Sequence, residues 1–207
     1  MGLKGNGKFP FKLFVNYIKI WYNKVYQGEN MEQIHSTTII AVKKDGKTAM
    51  AGDGQATLEH IIAKAHAKKV RRIYNDQVVV GFAGGVADAL TLIDRFEAML
   101  QKYSGNLTRS AVELAQTWRR DEAMRKLEAQ MIVADKSTLL LVSGAGEVVE
   151  PDDGILSIGS GSNYAIAAAK ALNAYTQMSA REIAEKSINI AADICIYTNH
   201  NITVEEI

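Results

Sequence analysis

The sequence predicts an α/β protein of the α+β type, in which two antiparallel sheets pack face to face between two helical layers. The spacing of apolar residues changes from strand-like to helix-like and back, so the order is strands, two helices, strands, two helices, strand. Short turn signals join consecutive strands, which indicates hairpins and therefore antiparallel pairing. Helices that occur in pairs favour one helical layer on the outer side of each sheet.

The first half of the chain contains four predicted strands and two predicted helices. Asp45-Gly46 and Asn75-Asp76 are turn signals, and each separates two of the strands. The strands are Thr38–Val42, Lys47–Gly52, Lys69–Tyr74 and Gln77–Phe82. Apolar residues at helical spacing predict a first helix that ends near Ser104-Gly105. Thr108 is the predicted N-cap of a second helix, which runs to about Leu127.

The second half of the chain repeats this order. Its first strands are Gln130–Ala134, Thr138–Ser143 and Glu147–Glu150. Glycine and serine residues at 159–162 lead into a third helix, Tyr164–Ala174. Ser179 and Glu182 have the spacing of a capping box at the start of a fourth helix. A last strand, Ile202–Glu205, completes the predicted fold.

The composition is that of an ordinary globular protein. Of the 207 residues, 47% are hydrophobic and 23% are charged, which suits one domain that we expect to span residues 37–207. A net charge of +1 argues against a dedicated nucleic-acid-binding protein, and no apolar stretch approaches the roughly 18–20 residues of a membrane span. The single cysteine, Cys195, excludes an internal disulfide and fits a cytoplasmic location.

Residues 1–36 form an N-terminal extension that differs from the rest, with five lysines, no arginine and several aromatic residues. It is open to three interpretations: a transit peptide or other propeptide, an amphipathic membrane anchor, or a stretch upstream of a true start at Met31. Codons for Gly28-Glu29 can resemble a bacterial ribosome-binding site, which is compatible with the third. Gly2–Lys8 resembles the start of a phosphate-binding loop. Phe9 follows where a magnesium-binding Ser or Thr is needed, so we expect this chain to bind no nucleotide.

Three residues with complementary chemistry recur at steps of sixteen: Thr37, Asp53 and Lys69. Each step of sixteen residues suits a strand, a turn and a second strand, so we expect the three polar groups to lie at the same edge of one sheet. A threonine hydroxyl becomes an effective nucleophile when a base removes its proton, and the α-amine of an N-terminal threonine can be that base. A nearby lysine charge would hold the amine and hydroxyl in their reactive protonation states, and an aspartate would orient the lysine.

Each of the three residues also has a purely structural explanation. Gly52-Asp53-Gly54 is a common turn sequence, and Lys68-Lys69 suits a solvated strand end. Thr37-Thr38-Ile39 is typical of a strand. Taken singly, none of these short stretches distinguishes a catalytic site from ordinary structure.

Longer stretches of the chain carry a family resemblance. They are Thr37-Thr38-Ile39, AGDGQAT (51–57), KKVRRIYND (68–76), GFAGGVADALTL (81–92), AVELAQTWRRD (111–121), RKLEA (125–129), IGSGS (158–162), SAREIAEK (179–186) and ICIYTN (194–199). Together they resemble the HslV (ClpQ) family of bacterial proteasome-related peptidases, from about His35 to the C-terminus. The resemblance implies the four-layer αββα fold of N-terminal nucleophile hydrolases and a threonine-type endopeptidase.

The resemblance also implies roles for particular residues. Thr37 is the expected nucleophile and general base, Lys69 its electrostatic activator and Asp53 the partner of Lys69. Gly81 matches the position where the family supplies a backbone N–H to the oxyanion hole, and a glycine leaves room for the scissile carbonyl. Ser160 matches the position of a serine hydroxyl near the amine of the nucleophile. By sequence alone, its Gly-Ser-rich loop is better explained as a glycine-rich helix entry, which could bind phosphate or nothing.

A cation site is the next implication of the resemblance. The family binds a cation, usually assigned as sodium, through backbone carbonyls that match Ala192, Cys195 and Thr198. Steps of three residues fit the unsatisfied carbonyls at the C-terminus of a helix, which favour positive charge. For the side chain of Cys195 we expect a buried apolar environment.

The resemblance further implies partners. They are other copies of the chain in two stacked hexameric rings, a hexameric HslU (ClpY) type ATPase, and unfolded protein substrates. Two other functions remain open at the level of sequence. One is a free-standing, non-proteolytic amidase of the same fold, and the other is a non-catalytic ring subunit.

One departure from the family pattern concerns the nucleophile itself. In many members the threonine follows the initiator Met, whereas here Ser36 precedes Thr37. Thr37 could attack the carbonyl of Ser36 and so release residues 1–36. The alternatives are a start at Ser36, with a serine nucleophile, or an uncut chain with little or no activity.

Overall fold

The computed structural model describes residues 37–58, 60–125 and 129–207. The described residues form eleven strands: β1 (Thr38–Lys44), β2 (Lys47–Gly52), β3 (Ala56–Leu58), β4 (Ile61–Lys64), β5 (Val70–Ile73), β6 (Val78–Ala83), β7 (Gln130–Ala134), β8 (Leu139–Ser143), β9 (Val148–Val149), β10 (Ile155–Gly159) and β11 (Thr203–Glu206). They also form five helices: α1 (Val86–Lys102), α2 (Leu107–Arg120), α3 (Glu122–Arg125), α4 (Ser162–Tyr175) and α5 (Ala180–Ala192). The interpretations of residues 1–36 lie outside the described residues.

The strands form two sheets and a separate hairpin. One sheet has the order β10-β1-β2-β11 and the other the order β5-β6-β7-β8-β9, while β3 pairs only with β4. Every neighbouring pair is antiparallel, as the hairpin signals predicted. The predicted strands are all present, with ends that differ by a few residues.

The alternation of side chains along β1 shows how the layers arise. Ile39 and Ala41 pack in the interior between the two sheets, together with Ile132 of the second sheet. Ile40 and Val42 point the other way and pack against α4 and α5. Successive side chains of a strand leave opposite faces, so a strand that is apolar at every position can lie inside a four-layer structure.

The five-stranded sheet is covered on its outer face by α1 and α2. Phe96 of α1 and Trp118 of α2 are fully buried there, against Val80 and Phe82 of β6. The predicted αββα sandwich is therefore confirmed. Among the helices that the structure describes, none combines the length and the apolar character needed to cross a membrane.

Three strands were absent from the sequence prediction. β10 pairs with β1 over Thr38↔Gly159 to Val42↔Ile155, and it is the edge strand beside the expected nucleophile. This strand is short and follows the turn residues after Pro151. Ser157 interrupts its apolar residues, so the segment shows no clear alternation of apolar and polar side chains. In the β3–β4 hairpin, β3 has only three residues, and Ile61 and Ile62 of β4 are 64% and 61% exposed, so β4 has no buried face that marks it as a strand.

The second helix begins and ends at different residues from those predicted. Asn106, not Thr108, is its N-cap, because the Asn106 side chain accepts a hydrogen bond from the amide of Arg109. The helix ends at Arg120, since Asp121 is extended and its Oδ1 instead accepts the amide of Met124 in α3. Leu127, the predicted end, lies outside the described residues.

The predicted capping box of α5 is confirmed. Ser179 Oγ accepts the amide of Glu182, and the Glu182 carboxylate accepts the amide of Ser179. One turn from the end of the same helix, the hydroxyl of Ser187 is buried without a hydrogen-bond partner. The helix thus contains one serine that stabilises it and one that does not.

These two serines predict opposite effects for the same substitution. Ser179→Ala should lower the free energy of unfolding by about 1 kcal/mol, because the cap is lost. Ser187→Ala should leave it unchanged or raise it by up to about 1 kcal/mol, because an unpaired buried hydroxyl is removed and alanine favours the helix. Urea unfolding of both variants measures the difference. Equal destabilisation by the two substitutions would contradict this account.

Candidate active site

Thr37 lies immediately before β1 and is buried, with 6% of its surface exposed. Its carbonyl accepts a hydrogen bond of 2.8 Å from the amide of Ser160, just beyond β10. The next residue, Thr38, pairs with Gly159 in the sheet. The backbone on the C-terminal side of the expected nucleophile is therefore fixed by a strand that the sequence analysis missed.

Asp53 directly follows β2, and its side chain is completely buried. Its Oδ1 accepts hydrogen bonds of 2.8 Å from Lys69 Nζ and from the amide of Thr38. Its Oδ2 accepts the amides of Gln55, at 2.8 Å, and Asn199, at 3.4 Å. Four donors surround this one carboxylate, as a buried charge requires.

Lys69 precedes β5, and only 8% of its side chain is exposed. Burial lowers the pKa of Lys69 from its ordinary value of 10.5, whereas the charge and hydrogen bond of Asp53 act in the opposite direction. The lysine is thus held as one half of a buried ion pair. Lys69 and Thr37 line the same pocket, so the structure brings the predicted nucleophile and its predicted activator together.

The spacing of sixteen residues is explained only in part by the predicted geometry. The step from Thr37 to Asp53 is the β1–β2 hairpin, as expected. The step from Asp53 to Lys69 does not return to the same sheet, because it contains the β3–β4 hairpin and leads to β5 of the second sheet. The prediction of one common edge is therefore wrong for Lys69, and the site lies between the two sheets.

The sheets approach closely at this point. A side-chain carbon at Gly52, the last residue of β2, would lie 2.6 Å from Cδ1 of Ile39 and 3.0 Å from Cγ2 of Val70. A glycine therefore lets β2 come near β5, and Asp53 reaches Lys69 because of that approach.

The pocket beside Thr37 has a volume of about 130 Å³. One part of its wall is apolar, with Phe82, Leu90 and Ile93. Another part carries the basic side chains of Lys64 and Arg71, which are exposed. Such a pocket can hold an apolar side chain of a bound peptide close to a nucleophile.

Gly81 does not line this pocket. It lies within β6 opposite Val70 and Ile132, and a side-chain carbon there would touch Ile39 and Met50 in the interior. Because the amide of the next residue, Phe82, donates to the carbonyl of Lys69 just before β5, the alternation along a strand turns the Gly81 amide towards β7. Its role as oxyanion donor stays a prediction.

The loop at 159–162 has a structural reason for its glycines. The amide of Gly161 donates to Thr38 Oγ1 at 3.0 Å, and Thr38 Oγ1 lies 2.7 Å from Thr198 Oγ1. A side-chain carbon at Gly161 would lie only 2.4 Å and 2.7 Å from these two hydroxyl oxygens. Ser160, by contrast, is exposed, and the role of its hydroxyl stays a prediction.

The three predicted cation ligands lie at the end of α5 and in the segment after it. Ala192 is the last residue of the helix, and both Cys195 and Thr198 are buried. The Cys195 carbonyl accepts the amide of Thr198 at 3.0 Å. Within the described part of the chain, no group of His, Cys, Asp and Glu side chains is arranged for a metal ion. A site built from carbonyls is of a different kind, and it stays a prediction.

The two residues that donate their amides to Asp53 Oδ2 were missed by the sequence analysis. Gln55 belongs to the quoted AGDGQAT stretch, and Asn199 belongs to ICIYTN, but neither was assigned a role. Asn199 is 146 residues from Asp53 in sequence, so only the fold reveals their contact.

Comparisons with known proteins agree with this architecture. A family profile for the proteasome subunit matches residues 34–207. The ATP-dependent protease subunit HslV of Enterococcus faecalis is 64% identical over 178 residues, which is 84% of this chain and 98% of that protein. The same subunit of Listeria innocua is 61% identical over 178 residues, covering 84% of this chain and 99% of that protein.

A solved structure gives the same result. The crystal structure of eukaryotic HslV from Trypanosoma brucei superposes with a TM-score of 0.78 at 45% identity, covering 82% of this chain and 98% of that chain. These matches confirm the predicted family resemblance, the N-terminal nucleophile hydrolase fold and a threonine peptidase. The chain therefore belongs to the proteasome-subunit family.

Proposed function

We propose that this chain is the peptidase subunit of an ATP-dependent protease, in which Thr37 cleaves peptide bonds of unfolded proteins. The observation that carries the proposal is the buried Asp53–Lys69 ion pair, 2.8 Å long, whose lysine shares a pocket with Thr37. A buried ion pair gives little net stability, so its placement beside a hydroxyl favours a chemical role.

The chemistry of acylation follows from these groups. The α-amine of Thr37 removes the proton of Oγ1 while the oxygen attacks the carbonyl carbon of the substrate. The amine then donates that proton to the nitrogen of the leaving peptide, and the C–N bond breaks. Thr37 is left as an ester with the other half of the substrate.

Deacylation repeats the proton transfers with water. The amine of Thr37 removes a proton from a water molecule that attacks the ester carbon, and then returns the proton to Oγ1 as the ester breaks. An α-amine has a pKa of about 7.7–8.0, and the positive charge of Lys69 favours its neutral, basic form. Asp53 keeps the lysine charged and in place.

This mechanism requires a free amine on Thr37. We propose that Thr37 Oγ1 attacks the carbonyl of Ser36 and that water hydrolyses the resulting ester, which releases residues 1–36. A mature terminus at Thr37 supports this assignment of the nucleophile, and a terminus at Ser36 contradicts it.

The partners follow from the family. Relatives are described as ATP-dependent protease subunits, and this sequence carries no convincing nucleotide-binding motif. We therefore propose that a hexameric HslU (ClpY) type ATPase delivers unfolded chains to two stacked hexameric rings of this chain in the cytoplasm. Exposed apolar side chains such as Ile62 and Tyr175 support contacts between copies.

The end of α5 has features that support a cation site. The carbonyl of Ala192 lies at the C-terminal end of a helix, which favours positive charge, and carbonyl oxygens suit a hard cation. We propose that Ala192, Cys195 and Thr198 hold such an ion by their main-chain oxygens. A bound sodium ion would supply a fixed positive charge to this segment and takes no part in the reaction.

Substitution of Thr37 tests the proposed function. Thr37→Ala should abolish hydrolysis of a fluorogenic peptide, with and without the ATPase, whereas Thr37→Ser should keep measurable activity because a hydroxyl remains. Size-exclusion chromatography reports assembly, and N-terminal sequencing of the active particle reports the mature terminus. Hydrolysis that survives Thr37→Ala would contradict the proposal, and a monomer with amidase activity would favour the free-standing alternative.

The pH dependence of the hydrolysis rate should reveal the loss of the charge on Lys69. The rate should rise with pH as the Thr37 amine loses its proton, and fall again as Lys69 loses its charge. Because burial lowers the pKa of Lys69, the alkaline fall should begin below pH 10.5. Asp53→Asn removes the charge that raises this pKa, so its residual activity should fall at a lower pH than wild type. Asp45→Asn, in an exposed turn, is the control. An equal shift of the alkaline fall in both variants would refute the assignment of that fall to Lys69.

The pocket predicts a substrate preference. Its apolar wall should favour peptides with a large apolar residue before the cleaved bond, and its basic rim should favour an acidic residue nearby in the peptide. Lys64→Glu or Arg71→Glu should reduce kcat/KM for an acidic peptide by about 2- to 5-fold and spare a neutral one, as expected for exposed charges. Lys186→Glu on α5 is the control. An equal loss for both peptides would contradict a role in specificity.

A further inference from the structure

The side chain of Asn199 joins two segments that carry catalytic residues. Its Oδ1 accepts the amide of Gly54 at 3.1 Å, in the turn that contains Asp53. Its Nδ2 donates to the carbonyl of Ala65 at 3.0 Å, in the segment that leads to Lys69. One amide group therefore uses both its acceptor and its donor to connect the two halves of the ion pair.

The same residue also contacts the catalytic carboxylate directly. Its backbone amide donates to Asp53 Oδ2 at 3.4 Å, on the side of the carboxylate that Lys69 does not use. Gln55 donates its amide to the same oxygen. These two amides fix the plane of the carboxylate, and Oδ1 is then directed at Lys69.

The residues just before Asn199 connect the same segment to β1, the strand that follows Thr37. Thr198 Oγ1 lies 2.7 Å from Thr38 Oγ1, and the Ile196 carbonyl accepts the side-chain amide of Gln55 at 2.9 Å. The residues 196–199 therefore contact the start of β1 and the turn after β2 at several points. Asn199 is the residue among them whose side chain reaches towards the Lys69 segment.

We propose that Asn199 is a positioning residue, which sets the geometry of the Asp53–Lys69 pair by holding its two segments together. The proposal rests on the proposed peptidase function. Its physical basis is that the lysine and the aspartate come from different sheets, so their separation depends on the connections between those sheets. A displacement of about 1 Å at a catalytic group can cost about 100-fold in rate.

Asn201 provides a matched control in the same segment. Its Nδ2 donates to the same carbonyl of Ala65 at 2.9 Å, and its amide donates to Asn199 Oδ1 at 3.1 Å. It is exposed, and no hydrogen bond joins it to Asp53 or Gly54 among the described contacts. Loss of its side chain removes a similar bond to Ala65 without removing the contact to the catalytic turn.

The experiment compares Asn199→Ala, Asn199→Asp and Asn201→Ala in the assembled, processed protein with a fluorogenic peptide. Asn199→Ala should lower kcat by about 10- to 100-fold, with KM within about twofold of wild type. The alkaline fall in activity should move to lower pH, because Lys69 loses part of its contact with Asp53. Asn201→Ala should change kcat by less than about twofold.

Asn199→Asp tests the effect of an added charge on Lys69 without a large change in side-chain size. Aspartate keeps an acceptor for Gly54, loses the donor to Ala65, and adds a negative charge beside the turn that contains Asp53, the partner of Lys69. The alkaline fall should therefore move to higher pH than in wild type, opposite to its movement in Asn199→Ala. A change in overall stability alone would not move these pH profiles in opposite directions.

Several outcomes would overturn the proposal. Equal kinetics for Asn199→Ala and Asn201→Ala would do so, as would a fall in kcat with no movement of the pH profile. If Asn199→Ala does not assemble, Asn199→Asp decides, because it also loses the bond to Ala65; a kcat equal to that of wild type then counts against the proposal. Failure of the proposed peptidase function is a separate result, because peptide hydrolysis would then survive Thr37→Ala.

Discussion

The buried ion pair between Asp53 and Lys69 is the interaction on which the rest of the site depends. Desolvation of both charges is costly, and removal of one partner from such a pair typically costs about 3–5 kcal/mol. Here the cost is offset by a 2.8 Å hydrogen bond and by three further amides on the carboxylate. Because one partner follows β2 and the other precedes β5, the pair exists only when the two sheets are packed together. Folding and the assembly of this charged pair are therefore the same event.

The four layers explain why the site lies where it does. Strands such as β1 are apolar on both faces, so their interior offers no place for a reactive polar group. Polar groups appear where strands end, and there the backbone turns of both sheets come close. Glycines at these ends, Gly52 and Gly161, permit approaches that a side chain would block. The result is a dense set of backbone amides and carbonyls around Thr38 and Asp53, which holds the reactive side chains in one arrangement.

Much of this arrangement could be predicted from sequence, and the failures have physical causes. Hydrophobic periodicity predicted the layers, because burial on one or both faces determines the spacing of apolar residues. It missed the β3–β4 hairpin, because β3 has three residues and every residue of β4 is exposed, and it missed the short β10, which is identified by its pairing with β1. The resemblance assigned Thr37, Asp53 and Lys69, and the structure places Lys69 in contact with Asp53 and in one pocket with Thr37. Asn199 was not assigned a role, since a contact across 146 residues of sequence leaves no local signal.

The hydrogen bonds around Thr37 have a consequence for the proposed mature terminus at this residue. A chain terminus is ordinarily the most mobile part of a protein, because it is tied on one side only. Here the carbonyl of Thr37 is held by Ser160, and the amide of the next residue is held by Asp53. A terminus created at this residue therefore begins inside a rigid sheet. In the proposed mature enzyme, the loss of conformational entropy that orders this terminus would occur once, during folding, and would not be repeated in each turnover.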